Sequence, residues 1–180
     1  MIPGMFYDRL RAMDAPSVLE MGTLRWEAGR PTHHKAEVPH AGEYVMTDVA
    51  PGTDVDVVSD AHAMHHDLEG KEFDAIISVS VWEHLKRPWV AAHELALCLK
   101  PGGFAMVMTH QTFPIHGYPD DYFRFSDMAM NVLFEDAGLT TIKSGYEYPC
   151  KIQPPVEVKR WNPAASAYLN VVWYGEKPSR

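Results

Sequence analysis

The sequence predicts one α/β domain built on a mostly parallel sheet, and three observations carry that expectation. Short apolar runs bounded by Asp, Gly or Pro recur along the chain, as buried parallel strands do. Helix-patterned segments lie between them, the alternation that right-handed crossovers produce. A length of 180 residues with 46% hydrophobic content supports one well-buried core and is short for two ordinary domains, so residues 1–180 are read as a single domain.

Taken in order, residues 5–13 read as a short helix that Pro16 stops before the first strand. Strands are then expected at 18–21, 44–47, 55–58, 75–79, 105–109 and 169–174, with a weaker one at 141–144. Between the fourth and fifth runs lies "RPWVAAHELALCLKPGG". Pro88 suits a first helical turn, where a missing amide hydrogen costs nothing. Lys100 favours the negative end of the dipole, and Pro101-Gly102-Gly103 ends the helix. A further helix covers 126–136, with Ser126 as N-cap and Gly138 past its end. The last two strands are joined by an irregular Pro-rich stretch, 149–163, and include an antiparallel edge. Between Gly22 and Glu43, which contains Gly29, Pro31, Pro39 and Gly42, no long crossover helix can be drawn.

A net charge of −8 argues against a broad nucleic-acid surface, since that affinity comes mainly from Lys and Arg neutralising phosphates; Lys159–Arg160 is a local basic pair. The two cysteines, Cys98 and Cys150, form no C-x-x-C pair, so neither a disulfide framework nor a thiolate zinc site is expected, and Cys98 reads as a core residue. The first residues lack a basic region followed by a long apolar one, and no stretch approaches a membrane span. A cytoplasmic protein is the default expectation.

In open α/β sheets, ligands bind beyond the carboxyl ends of the strands, so the residues just after each run carry the chemistry. These are Glu20-Met21-Gly22, Asp48, Asp60-Ala61 and 80–84. The first run, "SVLEMGTLRW", ends in an acid and one glycine, without the further glycines of a G-x-G-x-x-G turn. Asp48 can accept hydrogen bonds from both ribose hydroxyls, and Asp60 can take an exocyclic adenine amine while small Ala61 lets a flat base lie against backbone. Each of these aspartates also suits a simple turn or cap.

The phrases "VLEMG", "YVMTDV", "DVVSDAHAM", "FDAIISVSVWEHLKRPW" and "HELALCLKPGGFAMVM" together resemble the class I S-adenosylmethionine-dependent methyltransferase family, particularly its small bacterial, type 11-like members. They stand in the family's order over residues 18–108. The resemblance implies a Rossmann-like three-layer sandwich, with a sheet of about seven strands whose last is reversed and the cofactor S-adenosylmethionine lying across the strand tips. Residue by residue, it implies that Glu20 and Gly22 border the methionyl part, Asp48 the ribose, and Asp60 with Ala61 the adenine. Ser80, Val81 and Trp82 would wall the cofactor beside its reactive methyl. A single glycine is compatible with this cofactor, because glycine-rich turns serve a pyrophosphate and adenosylmethionine has none. Arg25, just past the turn, is the nearest cation for its carboxylate.

Methyl transfer is an in-line displacement, and an alcohol acceptor also needs a base. His84, His110 and His116 stand at strand tips as candidates. The stretch "THQTFPIHGYPDDYFRFS" gathers His110, His116, Tyr118, Asp121, Tyr122 and Arg124. It can form an aromatic-walled acceptor pocket in which His116 or Asp121 receives a proton and Arg124 holds an anionic group. It can equally be an anchored loop whose Phe and Tyr complete the core while Arg124 pairs with Asp120 or Asp121. His33-His34 and His62, His65, His66 lack a metal-ligand pattern, so no metal site is expected.

The leading expectation is a methyltransferase for a small-molecule or glycan-like acceptor, at oxygen, with no nucleic-acid or membrane partner. The acceptor pocket would be built from the N-terminal segment, 109–126, 149–163 or the second subunit of a homodimer. Two rival expectations are a catalytically silent methyltransferase-like partner subunit, suggested by the altered first loop, and an NAD-dependent dehydrogenase. The single glycine and the lack of a Y-x-x-x-K pair disfavour the latter.

Overall fold

The computed structural model describes residues 1–117, 120–156, 158, 162 and 166–179. The apolar runs become β1 (Ser17–Met21), β2 (Glu43–Asp48), β3 (Val57–Val58), β4 (Phe73–Val79), β5 (Leu99–His110), β6 (Thr140–Cys150) and β7 (Ala167–Glu176). They form one seven-stranded sheet in the order β3-β2-β1-β4-β5-β7-β6. β1 through β5 pair in parallel, and β7 runs antiparallel to both β5 and β6. This is the Rossmann-like α/β architecture that the alternation of elements predicts.

Helix α1 (Ile2–Arg11) covers one face of the sheet. Its Phe6 and Leu10 pack against Val18, Ile77, Phe104 and Met106, and Arg9 reaches across to Glu176 at 2.7 Å. On the other face lie α2 (Met64–Asp67), α3 (Pro88–Leu97) and α4 (Asp127–Asp136). From these helices Leu95, Met130 and Phe134 meet Leu19, Ile76, Val107 and Trp173. Ser126 caps α4 as expected, its Oγ accepting from Ala129 N at 3.1 Å. Burial pushes the Cys98 thiol up to about 12, which fits a packed core residue.

Beyond shifts of a few residues at the ends of α1, β3 and β7, β6 and β5 are longer than expected and α2 is not among the expected elements. β6 spans eleven residues because it pairs with β7 over nearly its whole length, although its half-exposed edge position gives it a mixed, weakly strand-like sequence. α2 is a single turn, too short to leave a periodic signature. β5 starts at Leu99 and runs through Pro101-Gly102-Gly103, because Gly102 N and Gly103 O bond Lys177 O and N and so hold this stretch in the sheet. Between β1 and β2 no α-helix forms; the connection holds one 3-10 turn, Lys35–Glu37. The carboxyl ends of β1, β2 and β4 are therefore roofed by coil.

Among the described residues, no helix is long and apolar enough to cross a membrane.

Candidate functional site

A cavity of about 1260 Å³ opens over the tips of β1, β2 and β4. Single-ligand pockets run to roughly 300–1,000 Å³, so this volume leaves room for a cofactor and an acceptor together. Glu20, Gly22, Asp48, Asp60, Ala61, Ser80 and Val81 line it. Strand register brings them together: Glu20 lies beside both Met46 and Ile77, so the tips of β2 and β4 flank that of β1. Two backbone features shape the floor. Gly22 has φ +78 and bonds Thr47 O at 2.8 Å, and a methyl group there would overlap Val81 Cγ2. Ser80 also sits in the left-handed region, at φ 55, and this turn directs Val81 toward Gly22 and sends Trp82 into the core. Trp82 does not line the cavity: it is fully buried, and its Nε1 donates to Ser78 Oγ at 3.0 Å.

Asp48 is half-buried. Each of its carboxylate oxygens accepts one backbone amide at 3.2 Å, from Leu24 and Ala50, and keeps a lone pair for a ligand hydroxyl. Asp60 accepts the His62 amide (2.9 Å) and ring Nδ1 (2.7 Å) on Oδ1, leaving Oδ2 without a protein partner among the described residues. Burial opposes the charge on Asp60, but the His62 amide and ring outweigh it and hold the carboxyl below its usual range.

The coil after Gly22 is tied down by Glu20. This buried carboxylate accepts the His34 amide at 2.9 and 3.0 Å, the His34 ring Nδ1 at 2.6 Å, and the Tyr44 hydroxyl. One acid at the end of β1 thus anchors a loop that has no helix to stiffen it. Arg25 does not reach the cavity, because it pairs with Asp54 at 2.6 Å and so holds the 52–54 turn. Arg30, from the same coil, lines the cavity instead.

The Glu20 hydrogen bond, opposed by burial, raises the His34 pKa. A group with a raised folded-state value stabilises fully below its unfolded value of about 6.5 and loses that contribution as pH rises through the raised value. The melting temperature of the native chain, less that of His34→Gln, is accordingly expected to fall as pH rises above about 6.5. A difference that stays flat across the range would remove His34 as the anchor.

At the far end of the cavity stand His84, His116, Asp120 and Tyr122. Behind them lies Glu83, fully buried in the 3-10 turn Trp82–His84. Thr109 Oγ1 donates to Glu83 Oε2 at 2.6 Å. Oε1 faces three imidazoles, with Nε2 of His110 at 2.9 Å, of His84 at 3.7 Å and of His116 at 3.9 Å. Burial opposes ionisation of Glu83, but His110 and Thr109 outweigh it and lower its pKa.

His110, Asp121 and Arg124 do not line the cavity. His110 is buried, stacked on Phe113 and bonded to Asn170 at 3.0 Å. Arg124 forks onto Asp121, and this ion pair holds the carboxyl far below its ordinary range, which disfavours it as a proton acceptor. Phe123 and Phe125 pack into the core, as in the anchored-loop expectation. Tyr118, like Lys159, Arg160 and Pro163, lies outside the described residues. Glu83 carries no role in the sequence reading, although "VWEHL" contains it, because a glutamate in a short turn ordinarily faces solvent.

Residues 36–107, less than half of the chain, match the family model described as methyltransferase domain. No curated protein matches the sequence. Among solved structures, the chain is similar to one from the complex between the Haloferax volcanii Trm112 methyltransferase activator and the putative methyltransferase. That match has 17% identity and a TM-score of 0.67, covering 99% of this chain and 89% of that one. The N-methyltransferase NodS from Bradyrhizobium japonicum WM9 aligns at 16% identity and a TM-score of 0.61, over 98% and 95% of the two chains. The 1,6-didemethyltoxoflavin-N1-methyltransferase of Burkholderia thailandensis, with S-adenosylhomocysteine bound, aligns at 14% identity and 0.66, over 97% and 76%. The fold is that of S-adenosylmethionine-dependent methyltransferases of known structure, and residues 36–107 are similar to the methyltransferase-domain model.

Proposed function

We propose that this chain is a methyltransferase that binds S-adenosylmethionine over the tips of β1, β2 and β4 and methylates a hydroxyl of a small-molecule or glycan-like acceptor. The observation that carries this reading is the pair of aspartates, Asp48 and Asp60, on one cavity, each keeping acceptor capacity that the protein leaves unused. Asp48 would take the ribose hydroxyls, Asp60 Oδ2 the adenine amine, and Ala61 the face of the base. Gly22, Ser80 and Val81 would border the methionyl and sulfur end, with Arg30 rather than Arg25 serving its carboxylate. Glu20 supports that end by fixing His34 rather than by meeting the ligand directly.

When bound, the cofactor supplies an electrophilic methyl carbon on a sulfonium. The chain's part is to orient the acceptor oxygen in line with that carbon and to take its proton. His84 and His116 are placed for the second task, since both line the cavity and their Nε2 atoms stand 3.7 and 3.9 Å from the buried Glu83 carboxylate. An acid–base cluster of this kind suits a hydroxyl, whose proton must leave as the C–O bond forms and the C–S electron pair passes to sulfur.

Calorimetric titration with S-adenosylmethionine, S-adenosylhomocysteine and NAD tests the reading. Heat with the first two and none with NAD is expected; no heat with any of the three would favour a silent partner subunit. Asp48→Ala is expected to weaken S-adenosylhomocysteine by about 1–3 kcal/mol, the usual loss when hydrogen bonds to a charged group are removed. An unchanged dissociation constant would defeat the ribose assignment.

A further inference from the structure

We propose that Glu83 Oε1, His84 Nε2 and His116 Nε2 form a binding site for one divalent transition-metal ion of the zinc type at the acceptor end of the cavity. The three atoms come from two segments, the 3-10 turn after β4 and the loop after β5, and all lie within 4.8 Å of one another. The carboxylate is the second, independent observation. Glu83 is 0% exposed, and among the described residues its Oε1 has no well-formed hydrogen bond, although His110 Nε2 lies 2.9 Å away. His110 beside Oε1 supplies part of the pairing this buried oxygen needs, and a cation on its other side would complete it.

The outer ring atoms support the same assignment. His84 Nδ1 bonds the Asp120 carbonyl, and His116 Nδ1 lies 3.2 Å from the Pro114 carbonyl and 3.6 Å from Asp121. With Nδ1 engaged by these acceptors, each ring presents Nε2 toward Glu83. Metal-bound histidines are oriented by outer partners of this kind.

Tetrahedral zinc holds N and O ligands at about 2.0–2.2 Å, so its ligand atoms lie roughly 3–3.5 Å apart. The 3.7 and 3.9 Å separations from Oε1 therefore need to close by a few tenths of an ångström, and the two imidazole nitrogens, within 4.8 Å of one another, by up to roughly 1.3–1.8 Å. Two imidazoles with one carboxylate favour zinc, cobalt, iron or manganese over magnesium, which prefers oxygen donors. Three protein ligands leave coordination positions open. Because His84 and His116 also line the cavity, those positions face the acceptor, whose hydroxyl would lose its proton to solvent more readily on the ion; with Nε2 bound, the two rings would hold the ion rather than take the proton themselves. This last role rests on the methyltransferase reading; the ion site does not.

The test is calorimetric titration of ZnCl2 and MgCl2 into the tag-free, chelator-stripped full chain, with circular dichroism to verify folding. One equivalent of zinc is expected to bind, more tightly than magnesium. His84→Gln and His116→Gln should each weaken it by more than about 10-fold, since losing a ligand costs at least as much as losing the partner that orients one. His65→Gln, outside the cluster, should leave it unchanged. No saturable zinc binding, or equal affinity in both cluster variants and the native chain, would overturn the site. Titration of S-adenosylhomocysteine alongside separates the two proposals. Its binding without zinc binding removes the ion site alone; zinc binding without it supports the ion site and counts against the methyltransferase reading.

Discussion

Trp82→Ala is expected to lower the free energy of unfolding by about 3–5 kcal/mol, the usual cost of truncating a buried large aromatic side chain. Trp82 has no exposed surface, meets Phe134 edge-on at a centroid distance of 4.8 Å, and Phe134 in turn stacks on Trp173 at 4.0 Å. Truncation opens a cavity between the turn after β4, helix α4 and strand β7, and removes the donor that satisfies the buried Ser78 hydroxyl. Because small domains are stable by only about 5–15 kcal/mol, the denaturant midpoint should drop severely. Trp82→Phe should recover much of the loss. Were Trp82 a wall of the ligand cavity instead, alanine would weaken S-adenosylhomocysteine while leaving the unfolding curve nearly in place. The two measurements on one variant therefore decide between core and wall.

Gly22→Ala is expected to cost about 2–5 kcal/mol, from two separable sources. An L-residue at φ +78 carries a penalty of roughly 1–2 kcal/mol, and the added methyl overlaps Val81 Cγ2, an overpacking of roughly 1–3 kcal/mol. Val81→Ala in the same chain should relieve the second part and not the first, so the double variant should be more stable than the two single losses predict. Additivity in that cycle would mean that Gly22 and Val81 do not touch. The same substitution should reduce cofactor affinity, because Gly22 and Val81 form adjoining parts of the cavity floor.

These two residues show where the sequence was legible. β1, β2, β4 and β5 announce themselves as apolar runs because they are buried, and Asp48, Asp60 and Gly22 announce themselves because they end such runs. The absence of a helix between Gly22 and Glu43 was equally readable from its prolines and glycines. Trp82 was not, since it follows Val81 directly and only the left-handed turn at Ser80 sends the two side chains in different directions. Arg25 was misread for a similar reason: its partner, Asp54, stands on a separate loop, 29 residues away. Glu83 lay in plain view inside a quoted motif, yet its burial depends on Thr109, His110 and a loop that folds back so that Tyr122 N bonds its carbonyl at 2.7 Å.

The chain alone determined a parallel α/β sheet and which acids stand at its carboxyl edge, because strand burial and strand ends leave local, short-range signatures. Tertiary structure decided which of the neighbouring side chains face the cavity, that Glu20 holds a loop, and that three imidazoles surround one buried carboxylate. Each of those outcomes depends on contacts between segments distant along the chain, and no pattern of adjacent residues encodes them.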